Sequence, residues 1–257
     1  MAVRLGAHAD RLSAVRALSS AKGRRESGRF AYEGATLLDE ARRSGALVEE
    51  IYATQEAYDA SPLVRELESS GTAVFVVESR SMAKISDLEA PPGIVAVGPM
   101  RSAPLAEIFG GDGLVLVLAD LNDPGNAGTL LRSAEAFGCR GVVAGRRGAD
   151  PYHPKVVRAA MGSLFRLPPA VADPGEAGEA ARAGGFELIG LAADGRPLDK
   201  HPWSARTALV IGHERHGLGR WEPLCTARLS IPMKGPAESL NAAVAASIAL
   251  YEAATRT

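Results

Sequence analysis

Cysteine is nearly missing from this chain. Two occur in 257 residues, Cys139 and Cys225, and they form no CxxC pair. A disulfide framework and a thiolate metal site are therefore not expected. Both stand in apolar surroundings and read as reduced, buried thiols of a cytoplasmic protein. Aromatic residues are scarce as well, at 5%. Neither sign of charge is in excess, since the formal net charge is −1. A chain that is basic all over is thereby excluded, but a local basic face is not. No apolar run approaches the roughly 18 residues needed to span a bilayer. The opening residues MAVRLGAHADRL have no apolar core of a secretory leader, so neither a membrane partner nor export is expected. No G-x-G-x-x-G follows a strand and no P-loop lysine is present, which argues against a nucleotide-dependent oxidoreductase on a doubly wound sheet.

What is present permits a sizeable core: 46% of residues are hydrophobic and 23% charged. The length suits one large domain or two modest ones. Residues 1–98 alternate short strands and helices, as in a small α/β domain. Within them AKGRRESGR reads as a loop broken by its glycines. It leaves Lys22, Arg24, Arg25 and Arg29 with only Glu26 against them. Such a patch is either a solvated loop or a phosphate contact. Residues 99–113, with two prolines and GGDG, read as a linker. From 114 to 257 the alternation resumes with longer apolar strands. LVLVLAD has no polar face, as expected of a central parallel strand. PYHPKVVRAAMGSLFRLP reads as a loop and one helix carrying Lys155, Arg158 and Arg166. The turns after the strands near 120, 192 and 212 belong at the carboxyl edge of a parallel sheet, where such folds put ligands.

Three stretches carry candidate chemistry. In residues 114–138, LVLVLADLNDPGNAGTLLRSAEAFG, a strand meets a polar turn and then a helix whose free N–H groups favour an anion. Arg132 follows one to two turns later. It is either a surface charge, paired with Glu135 or Asp123, or a group held near the turn. In residues 209–218, LVIGHERHGL, two glycines close a buried strand. This is either a tight loop or backbone that approaches a ligand closely. His213 and His216 are three apart on a loop, which is not the H-E-x-x-H spacing, so no metal is expected. In residues 229–253, LSIPMKGPAESLNAAVAASIALYEA, Pro232 and Pro236 stiffen the approach to a helix with Glu238, Ser239 and Asn241 around its start. Capping by Ser239 is the plain alternative there. The helix is so apolar that it implies deep packing or a subunit interface.

Together these stretches resemble the SpoU (TrmH-type) family of RNA ribose 2′-O-methyltransferases, in the SPOUT superfamily. Asp123-Pro124-Gly125-Asn126-x-Gly128 with Arg132 and Ala134–Gly138 is similar to the family's first motif. Gly212-x-Glu214 with Gly217-Leu218 is similar to the second. Ile231-Pro232-Met233 with Ser239-Leu240-Asn241 is similar to the third. Order and spacing both match, over roughly residues 114–255. The segment KGRRESGRFAYEG resembles, more loosely, the RNA-binding domain that precedes the catalytic one in part of the family. His213 stands where the second motif most often has asparagine, Arg215-His216 is bulky for that loop, and Asp123 replaces a frequent asparagine. Ala242 and Ala243 are smaller than the commoner residues after the third motif's asparagine.

The resemblance implies an α/β fold in which a parallel-sheet SPOUT domain with a deep trefoil knot follows a small RNA-binding α/β domain. It implies a homodimer packed through the C-terminal domain. It also implies S-adenosylmethionine bound by Leu191, Ala192, Gly212, Leu218, Ile231, Met233, Ser239 and Leu240. Arg132 is then the catalytic residue, Asn126 fixes Arg132 or the ribose, Glu214 and Ser239 hold turn and substrate, and Asn241 orients the loop. RNA falls to Lys22, Arg24, Arg25, Arg29, Lys155 and Arg158. The expected substrate is 23S rRNA. A tRNA, or a non-catalytic role in ribosome assembly on the same fold, is the alternative.

Overall fold

The computed structural model describes residues 2–6, 9–235 and 239–256. Its elements run β1 (Val3–Arg4), α1 (Asp10–Ala17), α2 (Ala21–Ser27), β2 (Arg29–Glu33), α3 (Ala35–Arg43), β3 (Glu50–Thr54), α4 (Gln55–Ala60), α5 (Pro62–Ser69), β4 (Ala73–Val77), α6 (Ser79–Ile85) and β5 (Ile94–Pro99). They continue as α7 (Leu105–Ile108), β6 (Gly113–Leu118), α8 (Pro124–Ala136), β7 (Gly141–Gly145), α9 (Pro154–Ala160), α10 (Ser163–Arg166), β8 (Ala170–Ala172), α11 (Pro174–Ala183), β9 (Glu187–Pro197), β10 (Arg206–Ile211), β11 (Ala227–Ser230) and α12 (Ala242–Arg256). Two compact units result. One comprises residues 1–100 together with Tyr152–Phe165; the other comprises Arg101–Pro151 and residues 166–257.

The first unit is a five-stranded sheet in the order β1-β4-β3-β5-β2. Strands β1, β4 and β3 are parallel, while β5 runs antiparallel to both β3 and β2. One face packs Leu12, Val15 and Leu18 of the first helical region onto Tyr52, Phe75, Val95 and Val97. Tyr152–Phe165 joins this unit, although the sequence assigns it to the second. The reason is its apolar side chains. Tyr152 packs 4.7 Å from Phe30 and Phe165 packs 5.1 Å from Tyr32, centroid to centroid. Val156, Val157 and Ala160 of α9 are buried. The single helix expected there is broken at Met161 and Gly162, both at positive φ (48° and 93°).

AKGRRESGR forms α2 rather than a loop. Ser20 caps it by accepting the Gly23 N–H at 3.0 Å, and Gly28 closes it in the left-handed conformation. Gly23 does not break the helix because it serves a close approach: a Cβ there would lie 2.1 Å from the Ala17 carbonyl oxygen. The turn between α1 and α2 leaves helix-end carbonyls to satisfy. Arg24 does so, donating from Nη1 to the Leu18 oxygen (2.8 Å) and the Ser19 oxygen (2.9 Å). Its side chain is only 1% exposed. The expectation that Arg24 meets RNA is therefore corrected: it is a buried clamp.

The second unit is a six-stranded, fully parallel sheet in the order β11-β9-β10-β6-β7-β8. Strands β6 and β10 lie at its centre, and Val115, Val117, Ala208 and Val210 are completely buried with Phe109 and Trp221. That explains strands with no polar face. Helix α8 packs on α12, where the Ser133 and Ser247 hydroxyls share a hydrogen bond (2.8 Å) and Phe137 meets Tyr251 ring to ring. Cys139 is buried and Cys225 half-buried; neither is in a disulfide, and burial pushes the Cys139 thiol up to about 12.

His201 follows β9 and is buried edge-on against Trp203. Burial holds its imidazole below the ordinary 6.5, with Arg196 assisting and Glu187 opposing. The unfolded chain thus takes up a proton that the folded chain resists. Stability is present above about pH 6.5 and is lost as pH falls below it. Denaturant midpoints measured from pH 7.5 to 5 should decline, and His201→Phe should make that slope shallower.

Candidate functional site

The carboxyl edge of the parallel sheet is where the three stretches meet. Asp123 caps α8 by accepting the Asn126 N–H at 2.7 Å. This places Asn126 in the first turn of the helix, facing the loops beyond β10 and β11. Asn126 Nδ2 donates to Glu214 Oε1 (2.8 Å), and Asn241 Nδ2 donates to Asn126 Oδ1 (3.1 Å). One residue from each stretch is joined in a single line. Asn241 does more: its Oδ1 accepts the N–H groups of Ala243 (2.9 Å) and Val244 (3.2 Å). The cap of α12 is therefore Asn241, not Ser239. Pro236 and Glu238, expected before and around this helix start, lie outside the described residues.

The loop after β10 is a tight hairpin. His213 and Gly217 exchange backbone hydrogen bonds of 2.8 and 2.9 Å. Gly212 sits where a Cβ would lie 2.2 Å from the Gly217 carbonyl oxygen. Only glycine fits, because that contact is backbone against backbone. The imidazoles of His213 and His216 lie 4.7 Å apart, and His213 Nδ1 accepts the Arg215 N–H.

A cavity of about 590 Å³ opens beside this hairpin. Its walls include Leu191, Ala192, Gly212, Leu218, Ile231, Met233, Ser239 and Leu240, together with Glu214 and Asn241. Asn126 and Arg132 are not among the residues that line it. Arg132 is exposed on α8 and has no hydrogen bond or ion pair among the described residues. The pairing with Glu135 that the sequence left open is not made, because Glu135 binds Arg166, with one contact at 3.1 Å. Among the described residues no group of three or more His, Cys, Asp or Glu side chains could hold a metal ion.

Two charged groups at this edge escape sequence reasoning. Asp120, at the end of β6, adopts a positive φ of 55°. Its carboxylate accepts from Arg220 Nε (2.7 Å), Trp221 Nε1 (3.1 Å) and the Arg147 N–H (3.2 Å). Burial opposes its ionisation, but these hydrogen bonds outweigh burial and hold its pKa below the usual carboxylate range. Arg220 reaches on to Asp173, and Arg146 binds both Asp173 and Glu176. The loops after β6, β7, β8 and β10 are thus tied into one network. The second group is Arg228, which binds Glu222 (2.9 Å) and Asp194 (3.1 Å) on the cavity wall. A charge directly after an apolar strand is a signal that could have pointed to Asp120; Arg228, inside β11, carries no such signal.

The basic residues of the first unit are less free than the sequence suggested. Arg29 is spent on Glu49 (2.6 Å) and Glu50 (3.1 Å). Lys22 lies 3.8 Å from Glu26. Arg25 and Lys155 are exposed, and Arg158 is half-buried.

Comparison with known proteins fits this arrangement. The profile of the SpoU rRNA Methylase family matches residues 113–251, and that of the MRM3-like substrate binding domain matches residues 10–96. The 23S rRNA (guanosine(2553)-2′-O)-methyltransferase RlmP of Bacillus subtilis is 32% identical over 91% of this chain and 92% of its own length. A 23S rRNA (uridine(2479)-2′-O)-methyltransferase of Streptomyces viridochromogenes is 42% identical over 64% of this chain, a stretch that spans 61% of that relative. The crystal structure of the SpoU methyltransferase AviRb from the same organism, in complex with AdoMet, superposes with a TM-score of 0.87 at 34% identity. It covers 97% of this chain and 98% of its own. An AdoMet-bound rRNA methyltransferase from Sinorhizobium meliloti gives 0.86 at 28% identity, over 97% and 96%. With its three motif stretches hydrogen-bonded at one sheet edge, the chain belongs to the SpoU rRNA methylase family.

Proposed function

We propose that this chain methylates a ribose 2′-hydroxyl of 23S rRNA with S-adenosylmethionine as donor. The observation that carries this reading is the line Asn241–Asn126–Glu214, which joins three separate stretches beside a cavity at the carboxyl edge of the sheet. The names of the relatives agree with it. The residues present fit the cofactor. The cavity is within the size range of ligand sites. Leu191, Leu218, Ile231 and Leu240 offer it apolar surface, and Gly212 presents backbone where no side chain has room. Bound there, S-adenosylmethionine supplies a methyl group on an already cationic sulfur, so the chemistry asks for no metal.

The chain's own residues do the rest. A neutral hydroxyl is a poor nucleophile and needs its proton taken or its pKa lowered. Arg132, exposed and unpaired among the described residues, positions the 2′-hydroxyl and its neighbouring phosphate. An arginine that stays protonated is not the acceptor itself; its charge lowers the pKa of the hydroxyl, and the proton passes to solvent with the neighbouring phosphate as relay. Asn126 fixes the ribose side of the site. Glu214 holds Asn126, Ser239 holds the loop against substrate, and Asn241 orients both the loop and α12. Lys22, Arg25, Lys155 and Arg158 supply phosphate contacts, with Arg24 and Arg29 withdrawn into structural roles.

The same reading includes a trefoil knot in the C-terminal segment, supported by α12 returning to α8 after β11 has paired with β9. It includes a cytoplasmic location. It also includes a homodimer through α12. Val244, Ile248 and Tyr251 recur at helical spacing and remain 50%, 40% and 56% exposed, an apolar stripe that a second copy would cover. Ile248→Arg should convert the dimer to monomer in analytical ultracentrifugation; a wild-type chain already monomeric at micromolar concentration would refute the dimer. A dimer also offers Arg132 the second copy's cavity.

Incubation of the purified protein with labelled donor and protein-free 23S rRNA should yield one 2′-O-methylated nucleotide by mass mapping. Incorporation into tRNA alone would move the assignment to tRNA, and incorporation into neither would overturn it.

A further inference from the structure

The cavity is more acidic than binding an overall shape requires. Among the described residues its walls carry three carboxylates, Asp194, Glu214 and Glu222, against one guanidinium, Arg228. The carboxylates outnumber the guanidinium by two. Glu214 has a structural task, holding Asn126. Asp194 and Glu222 are each half exposed or more, and their side chains pair with Arg228 on the same wall. Three charges are therefore kept on a wall that apolar or neutral residues could form.

The two ligands this cavity must tell apart have nearly the same shape. Methyl transfer forms a bond from the ribose oxygen to carbon and breaks the carbon–sulfur bond, whose electron pair stays on sulfur; the hydroxyl proton ends in solvent. S-adenosylmethionine carries a sulfonium, an ammonium and a carboxylate, for a net charge of one positive. S-adenosylhomocysteine, the product, has lost the sulfonium charge and is net neutral. The surrounding field is what can separate them, because a negative wall attracts the first and is indifferent to the second.

We propose that Asp194, Glu222 and Arg228 set the preference between charged donor and neutral product, the two carboxylates shifting it towards the donor and the guanidinium opposing them. The wall is then a device for product release: the ligand loses its electrostatic hold at the moment its methyl departs. This rests on the assignment of the cavity to S-adenosylmethionine.

The test measures dissociation constants of S-adenosylmethionine, S-adenosylhomocysteine and sinefungin, whose amine keeps a positive charge near the same position, by calorimetry on the full chain. The readout is the product-to-donor ratio. Asp194→Asn and Glu222→Gln should each lower it about threefold, as expected for one charge across a wet gap. Arg228→Gln should raise it by a similar factor. Sinefungin should follow the donor, and added salt should shrink every change. Thermal melts identify any variant that fails to fold, and the opposite sign expected for Arg228→Gln cannot come from general damage. A ratio that stays constant, or affinities for donor and product that weaken in parallel, overturns the proposal and leaves the wall a structural feature. Failure of the wild-type chain to bind either ligand overturns the cofactor assignment and this inference with it.

Discussion

Arg132→Ala should lower methyl incorporation into 23S rRNA by about 100- to 1,000-fold, the loss typical when one positioned cationic or hydrogen-bonding group is removed from the reacting atoms. The affinity for S-adenosylmethionine should stay within about threefold, since Arg132 lines no part of the cavity of its own chain. Stability should hardly change, because the side chain is exposed and gives up no partner among the described residues. The three readouts together distinguish a group that meets the RNA from one that supports the fold. Retained turnover would sink the assignment of Arg132. A matching loss of cofactor binding would move its role to the cavity.

Gly212→Ala should do the reverse. Its Cβ would stand 2.2 Å from the Gly217 oxygen and 2.7 Å from the Leu218 nitrogen, both backbone atoms. Flexible side chains can step aside from such a contact, but backbone cannot without opening the hairpin that His213 and Gly217 close. Overpacking of this kind costs about 1–3 kcal/mol. If the hairpin relieves it by moving into the cavity, donor affinity falls about 10- to 100-fold. Calorimetry should show that loss while the core strands keep the far-ultraviolet circular dichroism intact. Binding as tight as wild type would mean that the hairpin is no wall of the cofactor site. Mixing the two variants adds a further result: activity recovered only in the mixture requires Arg132 to serve the cavity of the second copy.

The sequence made the sheet of the second unit plain, because apolar runs such as LVLVLAD admit little but a strand buried on both faces. It also made the meeting of three stretches plain, since a parallel sheet sends every strand's carboxyl end to one edge. What it hid were pairings that depend on side chains distant in the chain. Nothing local distinguishes Arg24, which folds back onto the end of α1, from Arg25, which is exposed. A Gly inside a basic run reads as a breaker, yet Gly23 is helical because a neighbouring carbonyl needs its space. The sequence pointed to Ser239 as the cap, and only the side-chain amide oxygen of Asn241, which accepts the Ala243 and Val244 N–H groups, shows that Asn241 takes that place. The ties from Asp120 to Arg220 and from Arg228 to Asp194 span 100 and 34 positions, beyond any periodicity.

The first unit takes its last pieces from Tyr152–Phe165, so its chain is interrupted by α7, β6, α8 and β7 of the second. This has a consequence for how the protein is made. Synthesis is vectorial, at about 5–20 residues per second. When residue 100 has been added, Phe30 and Tyr32 still lack the rings of Tyr152 and Phe165 that cover them. The nascent amino-terminal portion must keep that apolar face open for several seconds, until more than half of the chain exists. It cannot finish folding before the second unit has begun. The two are therefore born interleaved, and a fragment ending at the first apparent boundary should be sticky and prone to aggregation rather than an independent domain.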